Sequence, residues 1–161
     1  MPGMDHVISK AFLATGGSVA YVPFMVVSQV AAVGLVPAAV QITPTSAGTA
    51  GAGSTGIVGV CQEALDAAKT NTGKAFINVA IEGDTKVIWD GTGTPVIGGY
   101  VVPSSTVAGS VKFVTSVTTF QGFALVGVAL SLPGSPLPTF GANAAAGDLF
   151  DIALADPGTR I

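Results

Sequence analysis

Charged residues are scarce in this sequence. Only 9% of its 161 residues are Asp, Glu, Lys or Arg, whereas about 25% is usual for a soluble domain. Six Lys and Arg residues against nine Asp and Glu residues give a net charge of −3, which excludes nucleic-acid binding through a basic face. A mean hydropathy of +0.68 excludes extensive intrinsic disorder. Because exposed surfaces normally need more charge to stay soluble, we expect a partner to cover much of this one.

Cysteine and histidine occur once each. Cys61 therefore cannot form an internal disulfide, and we expect it to be a buried structural thiol. One Cys and one His leave no zinc site within the chain. His6 lies near the start, where chains are usually loosely held, so we do not expect it to be catalytic. Residues 1–6 do not have the pattern of a secretory signal peptide.

Two long stretches contain no charged residue, 11–62 and 113–147. Within the first lies an apolar segment, residues 19–40, that is long enough to span a bilayer. Pro23 and Pro37 interrupt it, and no Lys or Arg flanks it closely. We therefore expect two short strands around a break and no membrane contact, with a membrane span as an alternative.

Runs rich in Val, Ile and Phe, bounded by Gly, Pro, Asn, Asp or Ser, predict short β-strands about ten residues apart. They cover residues 56–60, 74–82, 86–90, 100–104, 110–117, 124–130 and 148–155. The spacing is typical of all-β folds. We predict a small barrel or sandwich of short strands with one short helix and an extended N-terminal arm.

The predicted organisation is a single domain over residues 1–161. Residues 1–13 form the arm, 41–56 a flexible loop rich in small polar residues, and 57–155 the β core. The helix is predicted over Gln62–Lys69.

An internal similarity links the two halves of the core. Each half contains a strand with a central glycine, a variable insert, a glycine turn, and a strand ending in Ala-Ile or Ala-Leu. The two glycines, Gly59 and Gly127, are expected to mark a bulge or a close approach of two backbones.

No motif for chemistry is convincing. Residues 51–56 spell G-x-G-x-x-G, but they lead into a strand where a dinucleotide site needs a helix. Glu82, Asp84 and Asp90 bracket a tight turn and could be calcium ligands, although Asp and Gly are also ordinary turn residues. We predict no catalytic residue, no cofactor and no metal site, and therefore no enzyme.

Small-residue motifs follow one another in a recognisable order. The chain reads IVGVCQEALDAA, then INVAIEG, KVIWDGTGTPVIGGYVVPSS, AGSVKFV, ALVGVAL and AAAGDLFDIAL. This order resembles the small bacteriophage capsid cement, or head decoration, proteins over residues 57–154. The sequence departs from that pattern at Cys61, where Ala is usual, and in a Pro-rich insertion at residues 132–144.

The resemblance implies a non-enzymatic structural protein on the outer surface of a virion. Such proteins bind the outside of the capsid shell, commonly as homotrimers, and clamp neighbouring subunits of the major capsid protein. The predicted partner contacts lie in the arm, at the end of one strand and in the Pro-rich insertion. They are His6, Val7, Ile8, Phe12 and Leu13 in the arm, Trp89 at the end of the strand over 86–90, and Leu137 and Phe140 in the insertion.

Other classes of function remain open. A head fibre or surface adhesion module that binds host polysaccharide would expose an aromatic cluster, for which Trp89, Tyr100 and Phe140 are the candidates. An enzyme would need a pocket with a perturbed acid, and Asp84 with Asp90 is the best available pair.

Overall fold

Strands make up nearly all of the regular secondary structure in the computed structural model, which describes residues 7–15, 19–30, 39–43, 56–114, 125–134 and 144–156. The described residues form a closed five-stranded barrel and a second five-stranded sheet. The predicted all-β class, with a barrel of short strands, is confirmed.

The described residues contain ten strands and one helical turn. The strands are β1 (Ile8–Ala14), β2 (Val26–Gln29), β3 (Ala39–Ile42), β4 (Ile57–Cys61), β5 (Phe76–Glu82), β6 (Asp84–Ile88), β7 (Tyr100–Pro103), β8 (Val111–Phe113), β9 (Gly127–Ala129) and β10 (Leu149–Leu154), and the helix is α1 (Ala67–Thr70).

Strands β1 to β5 form the first barrel, in the closed order β1-β3-β2-β4-β5. Neighbours pair antiparallel except β1 and β3, which run parallel and close the barrel at Leu13–Ala39 and Ala14–Val40. Closure leaves this barrel without a free edge of unpaired backbone groups along the paired residues.

Strands β6 to β10 form the second sheet, in the order β6-β10-β9-β7-β8. Its two outer strands approach each other as well, because Trp89, just after β6, forms a parallel bridge with Val111 of β8. The amide of Asp90 also donates to the Val111 carbonyl at 2.9 Å. The second sheet is therefore curled almost into a barrel.

The second sheet repeats the topology of the first barrel. Adding five to each strand number converts the neighbours of the barrel into the neighbours of the sheet, with the same parallel or antiparallel sense. Even the parallel closure is matched, since the bridge between Trp89 and Val111 corresponds to the pair Ala14–Val40. The chain is thus two copies of one five-stranded unit joined at Gly83.

The residue register repeats too, which confirms the internal similarity seen in the sequence. A Cβ on Gly59 would lie 1.9 Å from the carbonyl oxygen of Ala80, and one on Gly127 would lie 2.3 Å from that of Ala153. The predicted close approach of backbones is therefore present at both glycines. Equivalent cross-strand pairs are Val60–Ala80 with Val128–Ala153, Cys61–Val79 with Ala129–Ile152, and Ala11–Asn78 with Lys86–Asp151.

Each unit has its own apolar interior, built from equivalent positions. The first contains Val27, Val40, Cys61, Ile77 and Val79, and the second contains Val101, Val111, Ala129, Phe150 and Ile152. The closing position differs most, because Ala14 of the barrel corresponds to Trp89 of the sheet. The space beside Ala14 is taken by Tyr21, a buried member of the same cluster.

The two units pack through one face of the first barrel. Val26, Ile57 and Val60 belong to the apolar cluster of the second sheet, and all three are buried. Hydrogen bonds tie the same contact together: the Val26 amide donates to the Gly109 carbonyl at 2.8 Å, and the Gln62 side chain donates to the Thr85 hydroxyl at 3.1 Å.

Three sequence boundaries differ from expectation. The helix is one turn at Ala67–Thr70, because the residues before it stay extended while Leu65 bridges to Tyr21. The predicted arm becomes strand β1 from Ile8 onward and closes the barrel, so the β core begins before residue 57.

The predicted loop over 41–56 overlaps strand β3 at its first two residues, and its residues 44–55 lie outside the described part. The two short strands expected within residues 19–40 are present as β2 and the start of β3.

Replacing either close-approach glycine by alanine will destabilise the fold. We expect Gly59→Ala and Gly127→Ala each to cost about 3 kcal/mol, because the new Cβ meets a strand carbonyl that cannot move without breaking its ladder. Gly73→Ala is the matched control, since no atom lies within 4 Å of its Cβ position and only its positive φ of 65° opposes alanine, at about 1 kcal/mol. Denaturant unfolding gives the three values, and equal losses would contradict the close-approach argument.

The duplication also predicts a stabilising change. Ser28 is fully buried, and its hydroxyl has no hydrogen-bond partner among the described residues. Its equivalent in the second sheet is the buried Val102. We expect Ser28→Val to raise the free energy of unfolding by about 1 kcal/mol, because an unpaired buried hydroxyl is replaced by the apolar side chain that the equivalent position accommodates. A lower unfolding free energy would show that the two positions are not equivalent.

Candidate interaction surface

Large apolar side chains are spread over the exposed surface of the described residues. Those more than a third exposed are Val7, Ile8, Val19, Val22, Phe76, Val96, Ile97, Tyr100, Val107, Leu130 and Leu149. In the same part of the chain one salt bridge occurs, between Lys86 and Asp151 at 2.8 Å. Apolar surface with so little charge around it is characteristic of a contact surface.

The predicted contacts in the N-terminal segment divide into two groups. Val7 and Ile8 are exposed, by 37% and 47%. Phe12 is half-buried against the barrel interior, and Leu13 is only 9% exposed. The prediction is therefore wrong for Leu13, which is almost fully covered where β1 lies between β5 and β3. His6 lies outside the described residues.

Trp89 is a core residue and cannot meet a partner. It is 6% exposed, packs in the cluster of the second sheet, and donates its indole N–H to the Thr92 carbonyl at 2.9 Å. Its position at the closing bridge makes it the residue that fills the interior there. Among the aromatic candidates for a polysaccharide platform, Tyr100 alone is exposed in the described part of the chain, while Leu137 and Phe140 lie outside it.

Apart from Tyr100, a candidate for polysaccharide binding, the exposed apolar residues of the second sheet were not predicted to contact a partner. Tyr100 and Leu149 each begin a strand, and Val96 and Ile97 form the turn before Tyr100. Strand alternation alone would have placed Tyr100 opposite the buried Val101. An outward strand position can still be covered by the other unit of the same chain. The alternation of residues in the sequence does not show whether it is.

A groove of about 460 Å³ lies between the two units. Val7, Phe24 and Gln62 line it from the first barrel, and Thr85, Lys86, Leu130 and Asp151 are among the residues that line it from the second sheet. The Lys86–Asp151 ion pair sits in its wall, where each charge has the other as its partner. The groove therefore combines apolar side chains with the Lys86–Asp151 ion pair and the carboxylate of Asp84.

The acidic candidates do not assemble into a site. Asp84 and Asp90 lie at opposite ends of strand β6, so they cannot share a substrate or an ion. The Asp90 carboxylate accepts hydrogen bonds from the Thr92 amide at 2.7 Å and from the Ser104 hydroxyl at 2.5 Å, and these fix the loop that follows Trp89. Across the described residues, no three His, Cys, Asp or Glu side chains are grouped so that they could hold a metal ion.

Cys61 and Tyr21 are buried together in the first barrel. Burial raises the pKa of the Cys61 thiol to about 11, so the reactive thiolate is suppressed at neutral pH. Burial likewise raises the pKa of Tyr21 to about 12. Its hydroxyl donates to the carbonyls of Thr15 and Val40, the latter at 3.1 Å. The expected burial of the cysteine is confirmed, and both groups serve the barrel interior.

Comparisons of the chain with known proteins found no match. No family model matches it, no curated protein is similar to it in sequence, and no solved structure is similar to its fold.

A search for membrane-spanning helices found none of the necessary length and apolarity within the described ranges.

Removing the Tyr21 hydroxyl should change both stability and its pH dependence. The unfolded phenol ionises near pH 10, while the folded one resists ionisation to about pH 12. Folding stability from this group is therefore complete below pH 10 and is lost as the pH rises towards 12. We expect Tyr21→Phe to cost about 1 kcal/mol at neutral pH and to weaken the loss of stability between pH 10 and 12.

Tyr100→Phe is the control for this experiment, because the Tyr100 side chain is 39% exposed while that of Tyr21 is buried. Denaturant unfolding at a series of pH values separates the two variants. If Tyr100→Phe altered the alkaline limb as much as Tyr21→Phe, the barrel interior would not be the source of the effect.

Proposed function

We propose that this protein is a capsid cement protein. It binds the outer surface of a viral shell as a homotrimer and stabilises contacts between major capsid protein subunits, without enzymatic activity. The observation that carries the proposal is an exposed apolar pair, Val7 and Ile8, at the start of a strand that is built into a closed barrel.

The strand that carries this pair is held firmly in the barrel, and this favours binding. Strand β1 pairs with β5 from Ile8 to Leu13 and with β3 at its other end. A side chain held on such a framework loses little further freedom when a partner covers it, and that lowers the entropic cost of binding. Because Val7 and Ile8 are already more than half covered, burial of the remainder of each contributes about 1 kcal/mol.

The low charge of the chain supports the same proposal. A cement protein buries surface against coat subunits and against its own copies, so apolar surface is used rather than left in water. The motif order shared with phage head decoration proteins agrees with this, and the cysteine that departs from their pattern is a buried interior residue at the position of Ala129.

Co-sedimentation with capsid shells tests the proposal directly. Expanded shells are assembled from the coat protein of the same virus without this chain and are mixed with increasing amounts of it. We expect saturable binding at a fixed ratio to coat subunits. We expect the double variant Val7→Asp, Ile8→Asp to lose at least tenfold in affinity, because two charges would replace apolar contacts.

The control is the double variant Val96→Asp, Ile97→Asp. These two adjacent residues lie in the turn before β7 and are at least as exposed on average as Val7 and Ile8. This control should bind shells as the unmodified chain does. Absence of binding by the folded unmodified protein would overturn the proposal, and a glycan screen would then test the adhesion alternative.

A further inference from the structure

The two units of the fold contact each other through one surface of the first barrel and a different surface of the second sheet. Because the units are duplicates, each unit also carries the equivalent of the surface that the other unit uses. In the first barrel, the outward row Val26, Val60 and Ala80 runs across β2, β4 and β5, and all three residues are fully buried. We call this row the back of the unit. The second sheet covers it, and β4 contacts β6 there.

The second sheet has the same back, but no described strand or helix covers it as the second sheet covers the first barrel. The equivalent row is Tyr100, Val128 and Ala153 across β7, β9 and β10. Tyr100 is 39% exposed, and Val128 and Ala153 are half-buried, whereas all three equivalents in the first barrel are fully buried. An apolar row that is buried in one copy of the unit is therefore left in solvent in the other copy.

The opposite surface of the contact shows the complementary difference. On the second sheet, Thr85 and Val87 of β6 form the front that meets the first barrel, and both are buried. Their equivalents in β1 of the first barrel are Lys10 and Phe12. Lys10 is exposed, whereas Phe12 is half-buried against the interior of its own barrel, so this front is open at Lys10.

We infer that copies of this chain associate head to tail, with the back of the second sheet of one copy against the front of the first barrel of the next. The new contact would repeat the one already made inside each chain. One free back and one free front per chain make the contact heterologous, which leads to a ring where the rotation closes and to a filament where it does not. The partner is thus a second copy, because the fold already holds a matched pair of these surfaces together.

This inference rests on the duplication and not on capsid binding. The association is measured on the purified chain without shells, so its failure and a failure to bind shells are separate results.

Sedimentation of single variants gives the first test. We expect the unmodified chain to sediment as an oligomer and Tyr100→Asp to sediment as a monomer at the same concentration. Leu149→Asp is the matched control: Leu149 is 41% exposed on an outward position of the same sheet, and its equivalent Phe76 stays 60% exposed beside the existing contact. Leu149→Asp should therefore keep the oligomer. A monomeric unmodified chain, or an oligomeric Tyr100→Asp, would overturn the inference.

Directed cross-linking gives a second test that does not depend on disrupting the contact. Inside the chain, Gln62 and Thr85 meet across the contact. Their equivalents are Leu130 and Lys10, both exposed. In a Cys61→Ala background, we expect a mixture of Lys10→Cys and Leu130→Cys chains to be joined by a short bismaleimide.

Each variant alone should yield little dimer, since a head-to-tail contact does not bring two copies of the same residue together. Equal cross-linking of either variant with itself would indicate a twofold contact and would overturn the inference. Absence of product from the mixture would also overturn it.

Discussion

Both halves of the molecule depend on a close approach of two strands that only glycine permits. Gly59 and Gly127 each place a strand so near its neighbour that a Cβ would overlap the opposite carbonyl. This approach fixes the register between β4 and β5 and between β9 and β10. Since the register decides which side chains point inward, the composition of both interiors follows from these two positions.

The same unit serves two purposes because its outward residues differ. Inward positions are apolar in both copies, and a small side chain in one copy is accompanied by a larger neighbour. Ala14 of the first barrel lies beside Tyr21, whereas the equivalent position in the second sheet is filled by Trp89. Outward positions carry the distinction between a covered face and an exposed one. Val26 faces the second sheet, and its equivalent Tyr100 faces solvent with a phenol that tolerates both water and an apolar partner.

Local pattern was sufficient for the fold class and for most strands, and it was insufficient for the pairing of the two halves. Runs of Val, Ile and Phe predicted β4 to β10, and the glycine-centred similarity identified one equivalent strand pair. The rest of the duplication is carried by backbone register between residues that do not resemble each other. Phe24 and Gly98 are one such pair, with φ angles of 73° and 78° and amides that donate to equivalent carbonyls.

The interaction surface was less predictable than the fold for a related reason. The exposure of a side chain depends on which strands pack around it. Trp89 and Leu13 could therefore not be recognised as buried residues before β1, β3 and β6 were placed. Val7 and Ile8 precede the residues drawn into the barrel and remain exposed. The predicted start of the helix was wrong because Leu65 pairs with Tyr21 in an extended conformation. Helix propensity is a local property and does not include such long-range contacts.

Two copies of one topology in a single chain create a hazard during folding, since β10 has the same pairing geometry as β5 and could be exchanged for it on β1. Side-chain volume opposes this exchange. Phe12 pairs with Ile77, and Val87 pairs with Phe150, so each pair combines one aromatic ring with one aliphatic side chain. The exchanged arrangement would crowd two phenylalanines in one half and leave two aliphatic residues in the other. Divergence between the halves therefore gives each strand a preferred partner and disfavours misfolded states in which strands of the two halves are exchanged.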